Sequence, residues 1–203
     1  MKVCSEKYSD AELRRKLEKK LEPRRYEHSF GVAYTACSLF MAHGIDSPEE
    51  LSRAYTAGLL HDCAKDLSEE ERDRAVKKYG IMLSEIEKEN PFLIHAKLGA
   101  VLAKEKYGVT DEGILSAIRW HTTGHAEMSF FESVIFSADF IEPNRKPLPC
   151  LPEIRSCIYT DIDKALYLIL KQTLVHLEHK GSPVEEHTLE AFGFYKNRIG
   201  GRE

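Results

Sequence analysis

The sequence has little of what several protein classes require. Its five cysteines are odd in number and include no CxxC pair, which argues against a disulfide framework and against a thiolate zinc site. The longest uninterrupted apolar run is Ala165–Leu170, far short of the roughly 20 residues that span a membrane. The first residues also lack an apolar signal region. We therefore expect a cytoplasmic protein that has no membrane partner.

The chain also lacks a strong charge of either sign. It contains 29 Lys and Arg against 33 Asp and Glu, a net charge of −4. Because binding to a nucleic-acid polymer depends largely on neutralising many phosphates, this balance argues against such a partner. It leaves room for a few basic residues that bind a small phosphorylated ligand.

No useful stretch alternates with period two, so the sequence predicts no sheet. Apolar residues instead recur with helical spacing nearly throughout, beginning with a helix that Asp10 is expected to cap. The three prolines of Arg145–Pro152 predict a loop, and the tail Glu190–Glu203 has no clear interpretation. The prediction is one all-α domain, with later helices at about 24–43, 47–65, 68–80, 95–107, 111–121, 129–143 and from 161 onwards.

Two features stand apart from the core pattern. The pair His61-Asp62 ends the apolar run Ala57–Leu60, and at a helix end both side chains can converge on one cation, although the pair taken alone favours a surface or capping interaction. Asp139 interrupts an otherwise apolar helix, where a carboxylate is costly to bury unless it is paired or metal-bound. A metal site requires these two features to meet in space.

Three further histidines extend this candidate site. His28 lies on a predicted helix face, and His95 and His121 each lie beside a helix boundary. Imidazole and carboxylate donors without thiolate suit iron, manganese, cobalt or zinc. Such a metal would lower the pKa of a bound water to roughly 7 and polarise a phosphoryl oxygen.

Three basic residues, Arg25, Lys65 and Arg145, are candidates for balancing phosphate charge. Arg25 shares a helix face with His28, and Lys65 follows His61 by four residues, which places each pair on one side of a helix. Solvated surface is the simpler alternative for each basic residue taken alone.

The order of these residues resembles the HD superfamily of metal-dependent phosphohydrolases, whose fold is an all-α bundle, and especially its bacterial YqeK branch. HD by itself is unspecific, whereas HTTG followed by ADFIEPNR is specific. The resemblance extends over about residues 10–180 and implies one HD domain over 1–203, with a C-terminal helical extension. The matching segments are Arg25–Ser29, Leu60–Lys65, His95-Ala96, Arg119–Gly124 and Ala138–Arg145.

The resemblance implies symmetrical hydrolysis of diadenosine tetraphosphate to two ADP, with iron at the HD site. The implied metal ligands are His28, His61, Asp62 and Asp139. The implied catalytic residues are Lys65, His95 and His121, of which the two histidines hold a second metal in an alternative arrangement. The implied nucleotide-binding residues are Arg25, His28, Lys65, His95, His121, Asp139, Phe140, Ile141, Glu142, Pro143, Asn144 and Arg145. A homodimer is a further expectation.

The mechanistic hypothesis is attack of a metal-bound hydroxide on phosphorus, with Lys65 and Arg145 offsetting charge in the transition state. Phosphoryl transfer depends mainly on positioning and charge stabilisation, so no covalent nucleophile is required. One alternative is an HD phosphohydrolase for a nucleoside di- or triphosphate, a cyclic dinucleotide or an alarmone. A non-catalytic nucleotide-binding module is another. His125 follows HTTG where the family is expected to carry arginine, and its effect stays open.

Overall fold

The computed structural model describes residues 7–201, which form eleven α-helices and one 3₁₀ turn. These residues contain no β-strand, so the predicted all-α fold is confirmed. The 3₁₀ turn is Pro91–Leu93. The helices are α1 Asp10–Glu18, α2 Pro23–Ala42, α3 Pro48–Leu60, α4 Glu69–Tyr79, α5 Glu85–Glu89, α6 Ile94–Glu105, α7 Glu112–Trp120, α8 Phe130–Ile141, α9 Leu151–Cys157, α10 Ile162–Lys180 and α11 Glu186–Gly200.

Local sequence explains where several helices begin. Ser68 and Ser129 each accept a hydrogen bond from the backbone N–H three residues later, and the glutamate at that position accepts one from the serine backbone N–H. The first helix follows the same rule with Ser9 as its cap. The prediction that Asp10 caps this helix is therefore wrong by one residue, since Asp10 is its first helical residue.

Two predicted segments differ from the structure, and the structure also shows what the uninterpreted tail forms. Helix α3 ends at Leu60, not near residue 65, because the chain turns at His61. The predicted loop 145–152 ends early, since α9 begins at Leu151 and carries Pro152 in its first turn, where the missing N–H costs nothing. The uninterpreted tail forms most of α11, which packs along α10.

The bundle is centred on α2, which packs against both α3 and α8. Gly58 of α3 permits this packing, because a Cβ atom there would lie 2.6 Å from the Ala33 Cα of α2. Real Cβ atoms do not approach a backbone so closely, so the two helices touch at a distance that only glycine allows. This contact brings the end of α3 beside His28.

The state of the cysteines and the apolar character of the helices bear on the expectations about disulfides and membrane spans. Four cysteines, Cys37, Cys63, Cys150 and Cys157, are free thiols, and Cys4 lies outside the described residues. Over residues 7–201, no helix combines the length and the apolar composition that crossing a membrane requires.

Candidate metal centre

Four histidines and two aspartates from five parts of the bundle meet in one cluster. His28 lies in α2, His61 and Asp62 follow α3, and Asp139 lies in α8. His61 Nε2 is 3.3 Å from His28 Nε2 and 3.8 Å from Asp139 Oδ1. The metal hypothesis required Asp139 to lie near the His61-Asp62 pair, and it does.

Asp62 connects the two ends of this cluster. Its Oδ1 lies 3.2 Å from His95 Nε2 in α6 and 3.4 Å from His121 Nε2 just after α7. We call these two histidines, with Lys65 and Thr122, the His95 end, and His28, Asp139 and Glu142 the His28 end. Three overlapping groups have donor atoms within 4.8 Å of one another: His28, His61 and Asp62; His61, His121 and Asp139; and Asp62, His95 and His121.

Three of the histidines are oriented by backbone carbonyls. In each, Nδ1 donates to the carbonyl oxygen three residues earlier, which lies in a final helical turn or in the 3₁₀ turn, where carbonyls lack intrahelical partners. A proton on Nδ1 leaves Nε2 with a lone pair that faces the cluster. The pairs are His61 with Gly58 at 2.7 Å, His121 with Ile118 at 2.7 Å, and His95 with Phe92 at 2.5 Å.

His28 is oriented by a side chain. Its Nδ1 lies 3.2 Å from Glu142 Oε1, and its Nε2 lies 2.9 Å from Asp139 Oδ1. Glu142 is only 1% exposed and also accepts a hydrogen bond from the Asn144 N–H. Burial disfavours the charged imidazolium, but the bonds to both carboxylates outweigh it and raise the pKa of His28. A glycine at position 31 makes room for Glu142, because a Cβ there would lie 2.7 Å from Oε2.

The electrostatics of the cluster suit a cation. Burial lowers the pKa of His61 and of His95 to about 4, so both are neutral at pH 7. Burial opposes ionisation of Asp62 and Asp139, but their electrostatic interactions with His61 and the neighbouring histidines hold both pKa values below the usual range. Neutral imidazoles beside ionised carboxylates are the donors that divalent transition metals bind, and they fit the predicted metal.

The histidine nitrogen atoms that face each other also indicate a site for a cation. His95 Nε2 lies 3.1 Å from His121 Nε2, and the His28–His61 separation is similar. Two imidazole lone pairs at this distance repel unless a proton or a cation compensates them. The residues therefore fit a metal at both ends of the cluster.

Two cationic side chains, Lys65 and Arg25, lie beside these donors. Lys65 Nζ is 3.3 Å from Asp62 Oδ1 and 2.8 Å from His95 Nε2, and burial lowers its pKa. Arg25 lies 3.0 Å from Asp62 Oδ2. Arg145 is half-buried, and its Cζ lies 5.3 Å from the centroid of the Phe140 ring. Phe140 is the residue that follows Asp139 in the chain.

The predicted nucleotide segment 139–145 divides into two sets. Phe140, Pro143, Asn144 and Arg145 are partly or fully exposed. Ile141 is a core residue that is 4% exposed, and Glu142 lies behind His28. Motif matching alone does not separate these two sets.

Two residues at the cluster escaped sequence reasoning. Thr122 Oγ1 lies 3.0 Å from His121 Nε2 and 3.1 Å from His95 Nε2, and its place in HTTG was the available signal. Phe92 supplies the carbonyl that orients His95 and has no signal in the sequence. His125 lies 3.3 Å from Glu132 Oε1 and packs on Trp120.

A helical bundle that gathers separated histidines around a His-Asp pair defines the HD class of proteins. The model of the HD domain family matches residues 25–164. The symmetrical bis(5'-nucleosyl)-tetraphosphatase of Bacillus subtilis (strain 168) is 38% identical over 178 residues, covering 88% of this chain and 92% of that protein. The protein of the same name from Staphylococcus aureus (strain NCTC 8325 / PS 47) is 33% identical, covering 90% and 92%.

A solved structure adds to these sequence matches. The predicted HD superfamily hydrolase involved in NAD metabolism from Clostridium acetobutylicum has a TM-score of 0.87 and 34% identity, covering 94% of this chain and 98% of its own. The chain therefore belongs to the HD domain family and, within it, to the family of symmetrical bis(5'-nucleosyl)-tetraphosphatases. The predicted resemblance and the predicted hydrolase class are confirmed.

Proposed function

We propose that this protein hydrolyses diadenosine tetraphosphate symmetrically and releases two molecules of ADP. The observation that carries the proposal is the convergence of four imidazole Nε2 atoms and two carboxylates on one site, with Nδ1 of each histidine held by an acceptor. Relatives of nearly the same length that bear the name of this activity support the choice of substrate.

The proposed metal ligands are His28, His61, Asp62 and Asp139. Iron is the proposed ion, and Asp62 with His95 and His121 is the proposed site of a second one. A bound metal supplies an activated water and a Lewis acid for a phosphoryl oxygen. The positive charge of a bound metal would also balance the carboxylates of Asp62 and Asp139, which lie beside histidines and basic side chains.

The basic residues have a defined part in this proposal. Lys65 is 13% exposed and is held between Asp62 and His95, so its ammonium group is pre-oriented and poorly solvated. A cation in such surroundings stabilises the charge of a phosphoryl group more strongly than it would in water. Arg145, whose side chain lies over the Phe140 ring, would bind the phosphates of a nucleotide lying along segment 139–145.

Removing one ligand from the metal site tests the proposal. We expect His61→Ala and Asp139→Ala to abolish hydrolysis of diadenosine tetraphosphate, while His176→Ala, which changes an exposed histidine of α10, keeps wild-type turnover. Product analysis by anion exchange should yield ADP alone. Release of ATP and AMP would reject the symmetrical cleavage, and turnover in both ligand variants would reject the metal site.

The remaining parts of the proposal have separate tests. Metal analysis of protein purified without added metal should find iron at one or two equivalents. A panel of nucleoside triphosphates, cyclic dinucleotides and alarmones should be hydrolysed poorly, and faster turnover of any of them would replace the proposed substrate.

We also propose that the protein is a cytoplasmic homodimer. The four free thiols fit a reducing compartment. Cell fractionation tests the location, and light scattering tests the oligomeric state.

A further inference from the structure

An exposed aromatic ring stands at the His95 end of the metal centre. Phe92, in the 3₁₀ turn before α6, is 59% exposed, although a side chain of this size usually gains from burial. Its backbone carbonyl orients His95, and its ring centroid lies 5.2 Å from that of His95. The ring is therefore tied to the site and at the same time open to solvent.

Two aromatic–cation pairs include a residue of the cluster or its neighbour in the chain. Lys65 Nζ lies 4.2 Å from the centroid of the Phe92 ring, and Arg145 Cζ lies 5.3 Å from that of Phe140. Phe140 follows Asp139 in α8, so its pair belongs to the His28 end. Each pair offers a ring for a nucleobase and a cation for the adjoining phosphates.

A substrate that is cut in its middle carries a nucleoside on both sides of the cleaved bond. In the proposed function, segment 139–145 binds only one of them. We propose, on the basis of the function proposed above, that Phe92 is the stacking platform for the second nucleobase and that Lys65 binds the phosphates next to it. Stacking uses the flat face that every base has, so this subsite recognises a nucleobase without reading which base it is.

Binding of ADP to the Phe92→Trp variant tests the subsite directly. Tryptophan keeps the stacking surface and reports on it by fluorescence, and wild-type protein provides the background of Trp120, the only natural tryptophan. With the manganese-loaded variant we expect a saturable fluorescence change on adding ADP and none on adding pyrophosphate. Absence of a change specific to ADP would overturn the proposal, whatever hydrolysis assays show.

Kinetics of Phe92→Ala separate base stacking from a purely structural role. We expect KM for diadenosine tetraphosphate to rise about tenfold with kcat nearly unchanged, because stacking on an aromatic side chain contributes on that order. Adenosine tetraphosphate, which has one base, should be affected less. An equal fall in kcat for both substrates would show that Phe92 only positions Lys65 and His95, which would refute the subsite.

Two controls make these results specific. Tyr159→Ala removes another exposed aromatic side chain, between α9 and α10, and should leave both substrates unaffected. Phe92→Ala should raise KM, whereas Phe92→Trp should keep KM near the wild-type value. If wild-type protein fails to hydrolyse diadenosine tetraphosphate, the proposed function is wrong, whereas the fluorescence response to ADP still decides the role of Phe92.

Discussion

The two ends of the metal centre hold their histidines by different means. At the His95 end, His95 and His121 each donate Nδ1 to a carbonyl three residues earlier. At the His28 end, His28 relies on the carboxylate of Glu142, which lies 114 residues away in the chain. The difference follows from position, because His28 lies inside α2, where carbonyls are engaged in helical hydrogen bonds, whereas His121 follows the end of a helix, where they are not.

This contrast separates local from long-range construction. A histidine at a helix end is oriented by its own segment once the helix forms. A histidine in the middle of a helix needs a partner that tertiary packing must deliver, and that partner is a side chain that mutation can remove. A single substitution can therefore remove the group that orients the histidine at the His28 end.

Among the variants that compare the two ends, the largest effect is expected from Asp62→Asn, since Asp62 shares a group of donor atoms within 4.8 Å with each end. Loss of its charge should lower kcat/KM for diadenosine tetraphosphate by more than 100-fold, beyond the roughly 10–100-fold typical of residues that only support a metal ligand. Steady-state kinetics and metal analysis would measure it. Asp66→Asn is the matched control, because Asp66 also contacts Arg25 but belongs to none of the three donor groups; equal losses in both variants would contradict the shared role.

Glu142→Gln tests the His28 end alone. The amide keeps the size of the side chain but loses the charge that favours a protonated Nδ1, so we expect metal affinity or activity to fall about 10–100-fold. Titration with metal ions, followed by kinetics at saturating metal, would separate the two quantities. Glu153→Gln, at an exposed glutamate of α9, should change neither. Wild-type metal affinity in Glu142→Gln would mean that His28 needs no remote partner.

Gly58→Ala tests the helix contact that brings the two ends together. An added Cβ would collide with the backbone of Ala33, so we expect the free energy of unfolding to fall by about 1–3 kcal/mol, as for other overpacked sites. Gly193→Ala in α11 is the matched control, because a Cβ there meets nothing within 4 Å. It should be stabilising by about 0.5–1 kcal/mol through helix propensity. Denaturant titration of both variants measures the difference, and a stabilised Gly58→Ala would disprove the close contact.

The smallest effect concerns α7, whose C-terminal end carries His121. Burial opposes ionisation of Asp111, but hydrogen bonds from Arg53 and from the α7 backbone hold its pKa below the usual range. A folded pKa below the unfolded value of about 3.9 means that the stabilisation is complete above that pH and is lost as the pH falls through the folded value.

The corresponding experiment compares unfolding of wild type and Asp111→Asn at pH 7 and at pH 3. We expect Asp111→Asn to cost about 1 kcal/mol or less at pH 7, because the pair is partly exposed and asparagine also caps helices, and to cost less at pH 3. A cost that grows toward pH 3 would reverse the sign of the argument for Asp111.

Much of the candidate site was predictable because its residues are unusual where they stand. Asp139 is conspicuous in an apolar helix, and His61-Asp62 and His121 lie within recognisable motifs. Their grouping in space was predicted through the resemblance, and the geometry now shows the same residues together. Their roles as ligands and catalytic groups stay predictions until the variants above are measured.

Other parts of the site were not predictable from the pattern alone. Glu142 was expected at the nucleotide, yet its carboxylate contacts His28 Nδ1. The side chain of a residue that follows a helix end can point in more than one direction, and its direction here depends on packing against α2. Phe92 had no sequence signal, since an exposed phenylalanine looks like any core residue until its surroundings are known. The tail was unreadable because α11 gains its order by packing on α10.

The sequence alone determined the helical class, most helix starts and the order of the chemical groups, because caps and amphipathic periodicity depend on residues within about four positions of one another. Only the tertiary structure decided that His28 faces Glu142, that Gly58 touches Ala33 and that Asp62 joins both ends. These contacts join residues far apart in the chain, so they depend on how whole helices pack. That packing is determined by side chains throughout the core and not by any one local segment.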